Sequence, residues 1–210
     1  MKYQRLLPLL FVALLLPASI VKAQQLRLSV DGALTKLIGS EFENFNWGFG
    51  VGGHLFFYVV DQHILLGIRG AYNRWTPNES DFSSNVSNTV NTNVNGSAWT
   101  VEMIPTLRLT TNYPMSVVNV FAQAGAGVYI LNDKITVTGT SVIDAAPVED
   151  IFGKGTRGRF GLQAGGGFSF GSPQSLAIDV FSLYNLVFSG SKSSDALQYF
   201  SINLGVSLGI

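Results

Sequence analysis

From Leu26 to Ile210, apolar side chains return at every second position in eight separate stretches. Leu26, Leu28, Val30, Gly32 and Leu34 share one face of the first. Trp47, Phe49, Val51, Gly53, Leu55 and Phe57 share one face of the second. Ile64, Leu66, Ile68, Gly70 and Tyr72 mark the third, and Trp99, Val101, Met103, Pro105, Leu107 and Leu109 the fourth. The fifth runs from Val118 to Ile130, the sixth from Phe160 to Phe170, the seventh from Leu176 to Leu186, and the eighth from Tyr199 to Ile210. Period-two alternation predicts strands with one greasy and one polar face. Each stretch reaches the roughly 9–11 residues that a tilted strand needs to cross a bilayer. Pro105 lacks a ladder donor, so a bulge or a local gap in pairing is expected there.

The connections alternate in length. Residues 60–62, 111–116 and 171–174 are short turns. Residues 38–46, 76–97, 132–156 and 188–196 are longer and mostly polar. Short turns at one end and long loops at the other predict an eight-stranded antiparallel up-and-down transmembrane β-barrel, with turns in the periplasm and loops outside. An even strand count returns both termini to the turn side, where the last strand closes against the first.

Alternation alone does not say which face meets lipid, but composition does. Charged residues make up 12% of the chain, against about 25% in soluble domains. The polar face is mostly Gly, Ser, Ala, Asn, Gln and Thr. It also carries Arg27, Asp31, His54, Arg69, Glu102, Arg108, Arg159 and Asp179. A soluble barrel would show abundant Lys and Glu there. Buried ions must be paired, so these residues are predicted to form a charge network inside a lumen, with Arg69 as its hub. The apolar face then touches acyl chains. Trp47, Trp75, Trp99, Tyr72 and Tyr129 fall at the loop ends and are assigned to an aromatic girdle at the interface, with Phe57, Tyr58, Phe168 and Phe170 at the turn end. Trp75 has the wrong parity for the outer face, which places it above the lipid or on a bulged strand.

Residues 1–23 read as a cleavable secretory signal peptide: Lys2 and Arg5, an apolar run to Leu16, then Val21-Lys22-Ala23. Residues 24–210 form the barrel domain. Lys and Arg number 13, as do Asp and Glu, and there is no cysteine. With no basic block there is no footprint for nucleic acid, and without cysteine there is no disulfide framework or thiolate chemistry.

The eight amphipathic strands, the glycine-rich segments "FAQAGAGVYI" and "RFGLQAGGGFSF", and the terminal "FSINLGVSLGI" resemble the small outer-membrane β-barrel family of the OmpA transmembrane domain, OmpX and OmpW. The resemblance spans Gln24 to Ile210. It implies residence in the outer membrane of a bacterium, contact with outer-membrane lipid, periplasmic chaperones, and insertion by the barrel-assembly machinery, which reads the final strand. That strand usually ends on an aromatic residue; here it ends on Ile210.

Candidate chemistry is sparse. His63 lies at a turn and reads as solvated. His54 points into the lumen, without a second His or Cys at ligand spacing for zinc. A deacylase of the PagL type wants a His-x-Ser pair, which neither histidine supplies. Asp144, Glu149 and Asp150 lack the spacing of a calcium loop. The expected function is a structural or surface-interaction role without enzyme activity, metal or cofactor, the long loops meeting an extracellular ligand. Glycines on the lumen face, among them Gly48, Gly50, Gly52, Gly125, Gly127, Gly165, Gly167 and Gly205, leave room for a narrow channel for small or apolar solutes as the alternative. A lipid-modifying enzyme is the second alternative.

Overall fold

The computed structural model describes residues 26–39, 45–60, 63–78, 89–111, 116–133, 135–141, 147–152, 155–172, 175–188 and 196–210. The proposed signal peptide and Asp144 lie outside these, and the side chains of Glu149 and Asp150 are likewise not described. The described strands are β1 (Leu26–Ile38), β2 (Gly48–Val60), β3 (Ile64–Trp75), β4 (Thr89–Gly96), β5 (Ala98–Thr110), β6 (Val118–Asn132), β7 (Ile135–Ser141), β8 (Pro147–Phe152), β9 (Arg157–Gly171), β10 (Leu176–Val187) and β11 (Leu197–Gly209). Eight of them close a barrel in the order β1-β11-β10-β9-β6-β5-β3-β2, every pair antiparallel. These eight coincide with the eight alternating stretches.

The terminal strand is held to its end. β11 pairs with β1 from Arg27↔Gly209 to Ile38↔Gln198. Backbone bonds from Leu26 N to Ile210 O (3.0 Å) and from Ile210 N to Leu26 O (2.8 Å) fix the two ends together. Closure removes the free strand edges that an open sheet would present to lipid.

Burial alternates as the sequence does, with the polar side inward. Val30, Val51, Met103, Val128, Ile178 and Leu204 are exposed on the outer wall, while Ser29, Asn73, Thr100, Gln123, Asn185 and Ser201 are buried. In water such an apolar wall would drive association; in a bilayer it is solvated by acyl chains. The fold is therefore a transmembrane β-barrel with its polar residues inside.

Pro105 produces a gap rather than a bulge. β5 pairs with β6 at Met103↔Val128 and again at Thr106↔Gly125, in unchanged register, with no pairing between. The other edge of β5 stays intact, with Pro105 opposite Ile68 of β3.

The long connections hold structure that the polar composition did not suggest. β4, β7 and β8 form a second sheet in the order β4-β7-β8. It continues the β5–β6 hairpin upward: Trp99 faces Asn132 below the rim, and Gly96 faces Ile135 above it in the same register. The inward face of the hairpin is preserved across the rim. Val94, Ile135 and Val137 pack in one apolar cluster with Leu37, Phe45, Trp75, Ala98, Tyr129, Leu131, Val187 and Tyr199. This cluster caps the loop end of the lumen.

Candidate functional site: the lumen

In the lumen, Phe56, Tyr58 and Leu65 form one apolar cluster near the turn end, and Phe121, Phe181 and Leu183 a second that reaches past the middle of β10. The ionic groups are interleaved with these clusters and reach up to the loop-end cap: Arg27 is the cross-strand partner of Phe56, Arg108 that of Leu65, and Asp179 precedes Phe181 on β10. Arg27, Arg69 and Arg108 face Asp31, Glu102 and Asp179, each 3% exposed or less. Three cations against three carboxylates leave this buried set neutral, as the cost of an uncompensated buried ion requires.

The charges form two centres. In the lower one, Asp179 is shared. Arg27 Nη2 stands within hydrogen-bond distance of Asp179 Oδ1 (2.9 Å), Ser169 Oγ (2.8 Å) and Ser207 Oγ (2.7 Å), three acceptors that share its two hydrogens. Arg108 Nη1 donates to Asp179 Oδ2 (3.3 Å), and its Nε and Nη2 both reach Gln123 Oε1 (3.1 and 2.8 Å). The Arg108 guanidinium also lies 4.4 Å from the Phe56 ring centroid and 4.0 Å from that of Phe121. Ring faces stabilise a weakly hydrated guanidinium where water is excluded.

In the upper centre, Arg69 grips Asp31 with both terminal nitrogens (2.9 and 3.2 Å) and reaches Asn203 Oδ1 at 3.4 Å. Its Nε stands 4.0 Å from Glu102 Oε2. Glu102 accepts from Asn73 Nδ2 and Tyr199 Oη on one oxygen and from Gln163 Nε2 (3.3 Å) on the other. Gln163 Nε2 and Tyr129 Oη both donate to Asn185 Oδ1, at 2.7 and 3.1 Å.

His54 joins the two centres. Its Nε2 lies 3.4 Å from both Arg69 Nη1 and Gln123 Nε2, and its Nδ1 lies 3.2 Å from Ser29 Oγ. Arg69 can only donate, so Nε2 is the acceptor and Nδ1 carries the proton. With both ring nitrogens engaged, His54 is a junction of the network.

Arg69 is the centre of the upper group, but Asp179 belongs to the lower one. Arg159 corrects the expected set: it has the lumen parity but sits at the loop end of β9, half-buried, and makes no ion pair among the described residues. Two members of the expected girdle also need correction. Trp75 (1% exposed) and Tyr129 (0%) are inside, where Trp75 packs edge-on to Tyr199 at 5.2 Å. Tyr58 is likewise buried at the turn end, whereas Phe57, Phe168 and Phe170 face outward. Trp47 and Tyr72 are on the outer wall with the half-buried Trp99; Trp47 meets Phe200, and Tyr72 meets Trp99.

The lumen glycines are filled from their neighbours. A Cβ on Gly48 would meet Trp75 Cδ1 at 2.4 Å, and one on Gly50 would meet Asn73 Oδ1 at 2.1 Å. One on Gly52 would meet Arg69 Nη2 at 2.9 Å and Asp31 Oδ2 at 3.0 Å. β2 thus lacks side chains where β3 and β1 carry large or charged ones. The space expected to favour a channel is occupied by packed atoms at these positions.

No protein-family model matches the sequence, and neither does any curated protein. Among solved structures, Neisserial surface protein A superposes over 87% of this chain and 96% of its own, at 12% identity and a TM-score of 0.53. A major outer membrane protein from Thermus thermophilus covers 88% of this chain and 99% of its own, at 11% identity and TM-score 0.49. Ail, the attachment invasion locus protein of Yersinia pestis, covers 90% and 100%, at 14% identity and TM-score 0.46. The closed barrel and its likeness to Neisserial surface protein A give this chain the fold of the small eight-stranded outer-membrane β-barrels.

Proposed function

We propose that the protein is a non-conducting scaffold of the bacterial outer membrane that presents its loop-end sheet to the outside and has no enzymatic role. The observation that carries this reading is the filled lumen: a neutral, hydrogen-bonded set of three arginines and three carboxylates, interleaved with buried apolar side chains and capped by them at the loop end. An ion crossing it would have to displace paired charges in a low-dielectric interior, where breaking a pair is costly. The engaged ring nitrogens of His54 argue against a catalytic use of that residue. The alternation along β11 suits recognition by the barrel-assembly machinery, and the paired ends of β1 and β11 at the turn end suit a periplasmic placement of that end. Surface interaction falls to the segments above the rim.

Planar-bilayer recording of the purified protein tests the reading. The expected result is a flat trace under applied voltage. Stepwise ohmic conductance from the wild-type protein would overturn it and favour the narrow channel.

A further inference from the structure

The outer wall of the barrel is almost free of charge. Among its described outward positions it carries Lys36 and Arg74 and no carboxylate. Both cations lie at the loop end, and they differ. Lys36 folds over to donate from Nζ to the carbonyl of Phe45 at 2.6 Å. Arg74 is exposed and makes no hydrogen bond or ion pair among the described residues. Asp133, the described carboxylate just past the end of β6, is held by Arg157 at 2.7 and 3.3 Å.

The surroundings of Arg74 are specific. Its cross-strand partners are Phe49 on β2 and Trp99 on β5. Tyr72, one step lower on the same face of β3, packs its ring 6.3 Å from that of Trp99. Phe49 is 70% exposed. A guanidinium is thus flanked by aromatic rings that favour the interface between acyl chains and headgroups. At that depth the anion available to a lipid-facing cation is a headgroup phosphate, and the planar fork of Arg suits two phosphate oxygens at once. We propose that Arg74, set among Phe49, Tyr72 and Trp99, holds the phosphate of a lipid headgroup in the loop-side leaflet. The inference rests on the membrane placement proposed above.

Trp99 supplies the readout. In a Trp47→Phe background it is the outer-wall tryptophan, because Trp75 is enclosed in the lumen. The protein is refolded into phosphatidylcholine vesicles containing a minor fraction of either brominated phosphatidylglycerol, which bears a net negative phosphate, or brominated phosphatidylcholine. Quenching of Trp99 measures which lipid stands beside it. Phosphatidylglycerol is expected to be favoured about fivefold, the factor supplied by about 1 kcal/mol of attraction to one surface cation. Arg74→Gln should abolish the preference, and Lys36→Gln should leave it, since Nζ of Lys36 is already engaged. Equal quenching by the two lipids, an Arg74→Gln variant that keeps the preference, or loss of the preference with Lys36→Gln would overturn the site. Competition by free inorganic phosphate would overturn the assignment to a lipid. Heat-dependent gel migration reports insertion independently of lipid preference. A protein that fails to insert overturns both the membrane placement and this site, whereas an inserted protein without lipid preference overturns the site alone.

Discussion

Replacing Arg69 by Met removes the cation of the upper centre while keeping a long side chain in its place. The cost is not spread evenly over its partners. Glu102 retains Asn73, Tyr199 and Gln163 as donors. Asp31 loses both bonds of the bidentate pair and is left with His54 Nδ1 at 3.6 Å. Its side chain is 1% exposed, so water does not replace what is lost. Breaking a buried pair in this way costs about 3–5 kcal/mol. Adding Asp31→Asn removes the orphaned charge and should restore much of the loss. Urea unfolding from vesicles, followed by gel mobility of the folded form, gives both numbers. If Arg69→Met changes stability by no more than about 0.5 kcal/mol, the range of an ordinary surface substitution, then water reaches Asp31. The lumen is then wet and the non-conducting reading fails with it.

Leu204→Arg puts a cation on the outer wall midway along β11, opposite Gly32 and Val180, and should cost about 2–4 kcal/mol in vesicles. Leu66→Arg, two residues into β3 from the turn end, should cost less; equal tolerance of both would refute the lipid-facing assignment. Gly167→Ala would bring a Cβ within 2.1 Å of the Val180 carbonyl and 2.5 Å of Phe181. Overpacking of this kind costs about 1–3 kcal/mol, and an unchanged urea midpoint would show that this wall has slack.

The eight barrel strands are legible in the sequence because lipid on one side and a polar lumen on the other impose an uninterrupted alternation. Arg27, Asp31, His54, Arg69, Glu102, Arg108 and Asp179 share the inward parity and are buried, whereas Arg159 shares it without being enclosed. The same parity also points Trp75 and Tyr129 inward, and the general preference of Trp and Tyr for interfaces is what misdirects their assignment. Parity says nothing of height, so Arg159 could not be separated from Arg27 or Arg108 without the barrel rim. Nor does it show that Asp179 meets Arg27 and Arg108 while Arg69 meets Asp31, since those pairings join strands that are not hydrogen-bonded neighbours. A glycine on one strand reads as empty space until register places its neighbour; Trp75, Asn73 and Arg69 occupy what Gly48, Gly50 and Gly52 leave. The loop-end sheet left a faint trace in Ile135-Thr-Val-Thr and in Val90 and Val94. Those alternations are short, and the Asn- and Thr-rich setting hides them.

A charged lumen also settles the register that an apolar one would leave loose. In this barrel the outer wall must be apolar whatever the lumen holds. If the lumen were apolar too, each strand would be greasy on both faces, and a one-residue slip would exchange one apolar set for another at little cost. With the observed lumen a slip is expensive, because side-chain direction reverses at every step. Moving β5 by one residue would turn Glu102 and Arg108 outward and bring Val101, Met103, Leu107 and Leu109 inward. An Arg on the lipid face costs about 2–4 kcal/mol at the midplane and less toward the turn end, where Arg108 lies; inside, Gln123 Oε1 would lose both Arg108 donors and Asp179 would be left with Arg27. The same holds for β1 with Arg27 and Asp31, β3 with Arg69, and β10 with Asp179. Each buried ion therefore disfavours a slip of its own strand, and the ion pairs of the neutral set form together only when all of these strands stand in the observed register.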